Sequence, residues 1–272
     1  DVYKRQMQGL AIVYQQRLKF DDAERLLIRA IDLQPGNWRS IADLGLLYFS
    51  TGRYVEAAHE FRKVVFLDPD NWIGYGNLGS ALMMTGQFAA ALDPLTESLR
   101  IHKDSQYLSN LGIIYYYLGE YDRAAEMHRE AIDMMPDASF LWVNLGDALR
   151  FSSQSGAARE AYENAIEKAA TILAIDPHDP ISLLMQAWSL ASIGEIEAAK
   201  TSIETALRVA PEDPYAHYYD GLLKIELEET VEAIDALEVA VDLGYPVAML
   251  KADPLLAGLR AENRFGVLIS ED

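Results

Sequence analysis

The sequence contains no cysteine, so it can form neither a disulfide framework nor a zinc site built on thiolates. Histidine is also scarce: the five histidines are scattered along the chain, and none stands at the H-E-x-x-H spacing that places two zinc ligands on one helix face. No serine or acidic residue stands in an arrangement that suggests a nucleophile with a base and a third orienting group. We therefore expect no metal, no cofactor and no enzyme activity.

Long apolar runs are missing as well. No stretch approaches the roughly 18 apolar residues that a membrane-spanning helix requires, and no signal peptide is visible. We expect a cytoplasmic protein that does not engage a membrane, or a periplasmic one if a further segment precedes the chain. The chain does not begin with methionine and its first residues already lead into a repeat, so we expect a fragment of a longer protein.

Positive charge is in short supply. The chain has 23 lysines and arginines against 42 aspartates and glutamates, which gives a formal net charge of −19. A surface this acidic disfavours nucleic acid as a partner. It would favour basic partners, although the same charge also serves solubility. Half of the residues are hydrophobic, which is ample for a continuous core.

What the sequence has in abundance is an internal repeat of about 34 residues, clearest between Trp38 and Pro69. Each copy matches the order L-G, Y, G-x-Y, A, F, A, P at several positions, which fits two amphipathic helices joined by a tight turn at the glycine. The L-G glycines and the alanines of the second helix are small, as close helix crossing requires. Copies stand in register at Leu44-Gly45, Leu78-Gly79 and Leu111-Gly112.

This pattern resembles the tetratricopeptide repeat. The resemblance implies an all-α, right-handed α-solenoid of about seven helix-turn-helix repeats followed by a helical cap. The predicted array covers residues 1–245, with repeats at about 4–37, 38–71, 72–104, 105–138, 139–179, 180–213 and 214–245. Residues 246–272 form the predicted capping segment, in which Leu255, Leu256, Leu259 and Phe265 would cover the last repeat.

Two repeats depart from the pattern. Repeat three places Pro94 inside its second helix, where it either kinks the helix or restarts it with Asp93 as N-cap; we favour the kink. Repeat five contains seven extra residues, which is close to two helical turns. We therefore expect one helix from about Ala157 to Ala174 that protrudes by near 10 Å.

Residues 139–270 narrow the resemblance through NLGDALR (Asn144–Arg150), AREAYENAIEKA (Ala158–Ala169) and the tail motifs LGYP and DPLLAGLRAENRF. This segment is similar to the tetratricopeptide regions that follow the output domains of bacterial signalling proteins, namely serine/threonine kinases, class III adenylate cyclases and winged-helix regulators. No motif of those output domains is present here. The resemblance implies, as an alternative function, a sensory or regulatory region whose output domain lies upstream.

One motif is discounted. The segment from Gly74 to Gly79 spells G-x-G-x-x-G, but a dinucleotide site requires this loop between a strand and a helix. Here the segment falls inside the first helix of repeat three, so we interpret the match as a coincidence.

Asparagine recurs one residue before the L-G pair, at position 6 of successive first helices. At about 100° per residue this position lies opposite the packing core, and positions 2, 9 and 13 share its face. The predicted peptide groove on that face comprises Asp43, Asn77, Asn110, Ile113, Tyr117, Asn144, Asp147, Phe151 and Trp188, with Met84 and Phe140 alongside. Side-chain amides offer donors and an acceptor to an extended backbone, and asparagine ladders hold peptides in related tetratricopeptide proteins. The competing interpretation is that asparagine is merely common at this position.

The sequence thus predicts a protein-interaction scaffold that binds an extended segment of a partner protein or peptide in its concave groove. Two alternatives stay open. The region could regulate its own upstream output domain, or it could self-associate through an uncapped first repeat.

Overall fold

The computed structural model describes residues 19–270, and within that range every regular element is helical. The predicted first helix of repeat one, with Leu10 and Tyr14, falls outside the described residues. The α-helices are α1 (Phe20–Leu33), α2 (Trp38–Ser50), α3 (Tyr54–Leu67), α4 (Trp72–Met84), α5 (Phe88–Ile101), α6 (Ser105–Tyr117), α7 (Tyr121–Met134), α8 (Ser139–Phe151), α9 (Ala158–Leu173), α10 (Pro180–Ser192), α11 (Ile196–Val209), α12 (Pro214–Glu226), α13 (Thr230–Asp242), α14 (Val247–Ala252) and α15 (Asn263–Leu268). Short 3-10 helices occupy Ser155–Ala157 and Pro254–Ala261.

Consecutive helices pack as pairs, among them α2 with α3, α4 with α5, and α12 with α13. The described chain is therefore an all-α array of helix-turn-helix units, which confirms the predicted fold class. Its described residues divide into two compact units, residues 19–110 and residues 111–270. The boundary falls within α6.

In most of the described pairs the turn is closed by a residue with positive φ. Gly52 and Gly194 adopt φ of +76° and +91°, which glycine reaches without the steric cost of a Cβ. The N–H of Arg53 then donates to the carbonyl of Tyr48 at 2.8 Å and closes the end of α2. In the last pair Glu228 holds this position, at φ +61°.

The L-G glycines make room for large side chains. A Cβ on Gly45 would lie 2.8 Å from the ring of Phe61, and a Cβ on Gly112 would lie 2.6 Å from the ring of His128. The neighbour of each such glycine is thus a ring or branched side chain sixteen residues later, rather than the small alanine that the sequence suggested. The alanines are nonetheless fully buried, with Ala57 at 0 % exposure.

The two irregular repeats keep their helices. α5 runs unbroken through Pro94 and does not restart at Asp93. This excludes the restart with Asp93 as N-cap, which is the less favoured of the two interpretations. α9 is also continuous, which confirms one helix across repeat five. Counted from the L-G glycine, Lys168 corresponds to Leu67, the last residue of α3, so α9 extends five residues further, about 7.5 Å at 1.5 Å per residue. The other two extra residues lie in the following loop, so the expected protrusion of near 10 Å is wrong.

The tail folds back as three short helical pieces. Asp253 precedes Pro254 and accepts the N–H of Leu255 at 2.9 Å, as an N-cap does. Phe265 is completely buried, and Arg264 forms ion pairs with Asp235 and Glu238 of α13. Leu256 and Leu259 are buried while Leu255 is half-buried.

Candidate functional site

The first unit contains an open groove of about 480 Å³, here called the first-unit groove. Most of its lining comes from the first helices of successive pairs, α2, α4 and α6. The lining residues are Leu46, Phe49, Phe61, Trp72, Ile73, Asn77, Ser80, Met83, Asp104, Gln106, Tyr107 and Asn110. Leu46 and Ile73 are each 48 % exposed, so the groove offers apolar surface to an incoming chain.

Two predicted asparagines lie in this groove, but their amides are engaged. The Tyr107 hydroxyl donates to Asn77 Oδ1 at 3.0 Å. Asn110 Nδ2 donates to Ser80 Oγ at 2.8 Å, and Gln106 Nε2 donates to Asn110 Oδ1 at 3.0 Å. Asn110 is only 7 % exposed. The amide of Asn110 therefore bridges α4 and α6, which leaves one of its two N–H groups without a bond to Ser80 or Gln106.

The remaining predicted residue of the first unit is Asp43 on α2. It is half-buried and does not line the first-unit groove. Met84, on the same face by spacing, is also buried.

The second unit contains a smaller pocket of about 140 Å³, here called the tyrosine pocket. It is lined by Ile113, Tyr116, Tyr117, His128, Asn144, Asp147, Tyr215, Tyr218, Tyr219, Tyr245, Met249 and Leu255. These residues come from α6, α7, α8, α12 and the tail. The structure therefore brings together four of the predicted residues, Ile113, Tyr117, Asn144 and Asp147.

Aromatic rings form the walls of the tyrosine pocket. Tyr218 and Tyr245 are stacked, with ring centroids 4.6 Å apart and planes 14° apart. Tyr215 meets Tyr245 edge-on at 5.2 Å, and Tyr116 meets Tyr117 in the same manner at 5.5 Å. Burial raises the pKa of Tyr218 and Tyr245 well above the usual range, so these hydroxyls stay neutral at physiological pH.

Asp147 is the carboxylate in the pocket lining. Tyr162 and Trp188 donate to its Oδ1 at 2.7 Å and 2.8 Å. Burial raises the pKa of Asp147 to about 6, and the two hydrogen bonds and the charge of Arg150 offset only part of that effect. The group is mainly ionised at neutral pH.

A second buried carboxylate lies just behind the lining. Asp253 is 1 % exposed and accepts a hydrogen bond from the Tyr218 hydroxyl. Burial raises its pKa to about 6, against the opposing effect of the hydrogen bonds from Tyr218 and the Leu255 N–H. Two acids therefore share one aromatic environment.

His128 lines the pocket from α7. It is 1 % exposed, and its Nδ1 has no hydrogen-bond partner among the described residues. Burial lowers its pKa to about 3, so the imidazole is neutral and contributes no positive charge at physiological pH.

The aromatic anchors predicted for the groove behave differently from one another. Trp188 is 2 % exposed, and its indole N–H donates a hydrogen bond to Asp147. The prediction that Trp188 contacts a bound peptide directly is therefore wrong. Phe151 is 36 % exposed and packs against Tyr121 and Tyr116, at 5.3 Å and 6.1 Å between ring centroids.

Sequence reasoning missed Tyr215, Tyr219, Tyr245 and Asp253. A signal was present for two of them, because Tyr215 and Tyr219 hold positions 2 and 6 of the first helix of repeat seven. These are the positions that identified the asparagine face in earlier repeats. Tyr245 and Asp253 belong to the tail, where no repeat position applies, so spacing could not have found them.

Within residues 19–270 no cluster of three or more histidine, aspartate or glutamate side chains is arranged to hold a metal ion. In the same range no helix combines the length and the apolar character needed to cross a bilayer.

The fold and the two lined cavities define a helical-repeat protein with surfaces suited to partner binding. Tetratricopeptide repeat family models match residues 9–71, 74–137, 109–180 and 184–245. The chain therefore belongs to the tetratricopeptide repeat family, whose members generally serve as scaffolds for protein–protein interaction and bind proteins or peptides.

Two curated proteins match parts of the chain. A TPR repeat-containing protein of Dictyostelium discoideum is 27 % identical over 130 residues, which is 48 % of this chain and 49 % of that protein. The peroxisomal targeting signal receptor of Candida albicans is 31 % identical over 85 residues, 31 % of this chain and 14 % of the receptor. The match thus spans half or less of either relative.

Solved structures share the fold at low identity. A tetratricopeptide repeat protein from Parabacteroides merdae has a TM-score of 0.65 at 16 % identity, with all of both chains covered. Human IFIT1, solved as a dimer with m7Gppp-AAAA, has a TM-score of 0.61 at 17 % identity and covers 92 % of this chain and 64 % of its own. These likenesses concern the fold alone.

Proposed function

We propose that the chain is an interaction module that binds an extended segment of a protein partner in the first-unit groove. The observation that carries this proposal is the pairing of exposed apolar side chains, Leu46 and Ile73, with polar side chains along one groove of about 480 Å³. Apolar contacts supply affinity, and well-placed polar groups orient the ligand.

In this proposal the asparagines do not act as a uniform row of amides that all bind the peptide backbone. Asn110 stabilises the floor of the groove through Ser80 and Gln106. Asn77, half-buried beside Ile73, is the amide placed to meet a ligand. In the second unit, Asn144 and Asp147 line the tyrosine pocket.

A peptide obtained by selection from a random library on the immobilised protein provides the probe. Calorimetry should show that the double variant Leu46→Asp, Ile73→Asp binds the peptide more than tenfold more weakly. Two apolar contacts of about 1–2 kcal/mol each are replaced by carboxylates, which lose hydration against an apolar ligand. The matched control is Val55→Asp combined with Val231→Asp, since both valines are over 60 % exposed and lie outside the groove. Equal binding by the groove variant and the control would contradict the proposal.

The alternative is a regulatory region that contacts its own upstream output domain. Such a domain would present a segment to the same groove, so the proposal concerns the groove and holds for either source of ligand. Signalling proteins would supply that segment in cis, whereas a scaffold would receive it from another chain.

A further inference from the structure

The tyrosine pocket combines many aromatic faces with negative charge and lacks any positive group in its lining. Six of its twelve lining residues are tyrosines, and neither lysine nor arginine is among them. Aromatic rings carry negative potential on their faces and attract cations held within about 6 Å of the ring centroid. The pocket is therefore unlike an ordinary apolar gap between helices.

The carboxylates strengthen this electrostatic character. Asp147 is half-buried in the pocket lining, and Tyr162 and Trp188 both donate to its Oδ1. The guanidinium of Arg150 pairs with Glu226 at 2.8 Å. A carboxylate drawn out of water is stabilised by a cationic ligand that compensates its lost hydration.

A third observation also indicates a missing ligand. Tyr116 lines the pocket and is 8 % exposed, and its hydroxyl lies near the Asp253 carboxylate without forming a well-aligned hydrogen bond to any described residue. An unpaired buried hydroxyl costs about 1–3 kcal/mol. Tyr215, which also lines the pocket, is 41 % exposed, so a ligand can reach the pocket from solvent.

We propose that the tyrosine pocket binds an alkylammonium group, which stacks against the tyrosine faces and pairs with the Asp147 carboxylate. A volume of about 140 Å³ admits a single small headgroup and excludes a bulky one. The group belongs to a lysine side chain of a bound protein or to a free small amine. This site lies in the second unit and is independent of the first-unit groove.

The test compares choline with 3,3-dimethyl-1-butanol, its uncharged isostere, by chemical-shift titration of the tyrosine ring resonances at neutral pH. The two molecules have almost the same shape, so a difference in affinity measures the charge. Choline should bind at least tenfold more tightly than the alcohol, because its positive charge is attracted by the ring faces and by the carboxylate, although its quaternary nitrogen donates no hydrogen bond. This comparison uses the unaltered protein and so does not depend on the folding of a variant.

Two variants locate the charge effect. Asp147→Asn should weaken choline binding at least tenfold while leaving the alcohol unchanged, and Tyr215→Leu should weaken choline binding about fivefold through the loss of one ring face. The matched controls are Asp242→Asn, an exposed acid on α13, and Tyr75→Leu, a half-buried tyrosine of the first unit. Neither control should alter choline binding.

A short acetylated peptide with one lysine, compared with its norleucine counterpart, distinguishes the two sources of the ammonium group. Preferential binding of the lysine peptide supports a protein ligand, and binding of choline without the peptide supports a free amine. Three results would overturn the proposal. These are equal affinity for choline and the alcohol, no binding of either choline or the lysine peptide, and an equal loss of choline affinity in Asp147→Asn and Asp242→Asn. None of these results bears on peptide binding at Leu46 and Ile73.

Discussion

At the scale of single residues, the chain keeps several polar groups buried where apolar ones would fold more easily. His128 stands where the second repeat has Phe61, packed over an L-G glycine in the same way. Asp147 and Asp253 hold raised pKa values in an aromatic surrounding. Natural proteins accept such costs mainly at binding sites, and all three residues lie at or beside the tyrosine pocket.

Replacing His128 by phenylalanine should stabilise the protein. At neutral pH the gain should be about 1–3 kcal/mol, because the variant removes a buried imidazole nitrogen without a partner. The pKa of His128 is lowered to about 3 in the folded state from 6.5, so the unfolded chain binds this proton first, and stability from this source falls as pH drops from about 6.5 towards 3. Urea unfolding at several pH values measures the difference.

The effect of Asp147 and Asp253 on the pH dependence of stability is opposite to that of His128. Their pKa values are raised to about 6 from 3.8, so the folded state binds these protons first and gains stability as pH falls from 6 towards 4. The gap between His128→Phe and the unaltered protein isolates the histidine, because both proteins keep the aspartates. A gap that stays constant between pH 6.5 and 3 would show that His128 is not held neutral.

At the scale of elements, the sequence predicted the helix pairs because small residues and turn glycines recur in register. The continuous α5 and α9 follow from the same periodicity, since neither Pro94 nor the insertion interrupts the apolar pattern. Spacing could not reveal how the insertion divides between helix and loop. Nor could it reveal that Asn110 is tied to Ser80 and Gln106, because those bonds depend on how closely neighbouring helices approach.

The turn between α12 and α13 offers a simple test of element stability. Glu228 adopts φ +61°, a left-handed conformation that costs an L-residue roughly 1–2 kcal/mol. Glu228→Gly should therefore raise the free energy of unfolding by about 0.5–1 kcal/mol, after allowing for the greater freedom of glycine in the unfolded chain. Gly194→Ala, at φ +91°, is the converse control and should lower it. Calorimetric melting that ranks the two variants the other way would refute the strain argument.

The tail is proposed to cap the last helix pair. Deleting residues 254–272 removes the buried side chains of Leu256, Leu259 and Phe265, each worth about 1.5–3 kcal/mol of burial. Hydrogen exchange in α13 should then become faster by more than an order of magnitude, because the face that Phe265 covers is exposed to solvent. Unchanged protection of α13 in the truncated protein would mean that the tail does not cap it.

At the scale of the whole molecule, we propose two different binding surfaces on one repeated architecture. The first-unit groove is open and apolar with amides, and the tyrosine pocket is small and acidic. Of the residues that the sequence predicted for the peptide groove, Asn77 lines the first-unit groove, and Ile113, Tyr117 and Asn144 line the tyrosine pocket. The sequence could not indicate the pocket itself, which forms only when the tail residues Tyr245 and Met249 meet helices more than a hundred residues earlier.

The measurement that tests the central claim most directly is hydrogen exchange of the protein with and without a selected peptide. Binding in the first-unit groove should slow exchange in α2 and α4, which carry Leu46 and Ile73, and in the first turn of α6. α3 and α5 should change little, because they contribute almost nothing to the lining of the groove. Slower exchange concentrated in α3 and α5, with α4 unchanged, would contradict the account.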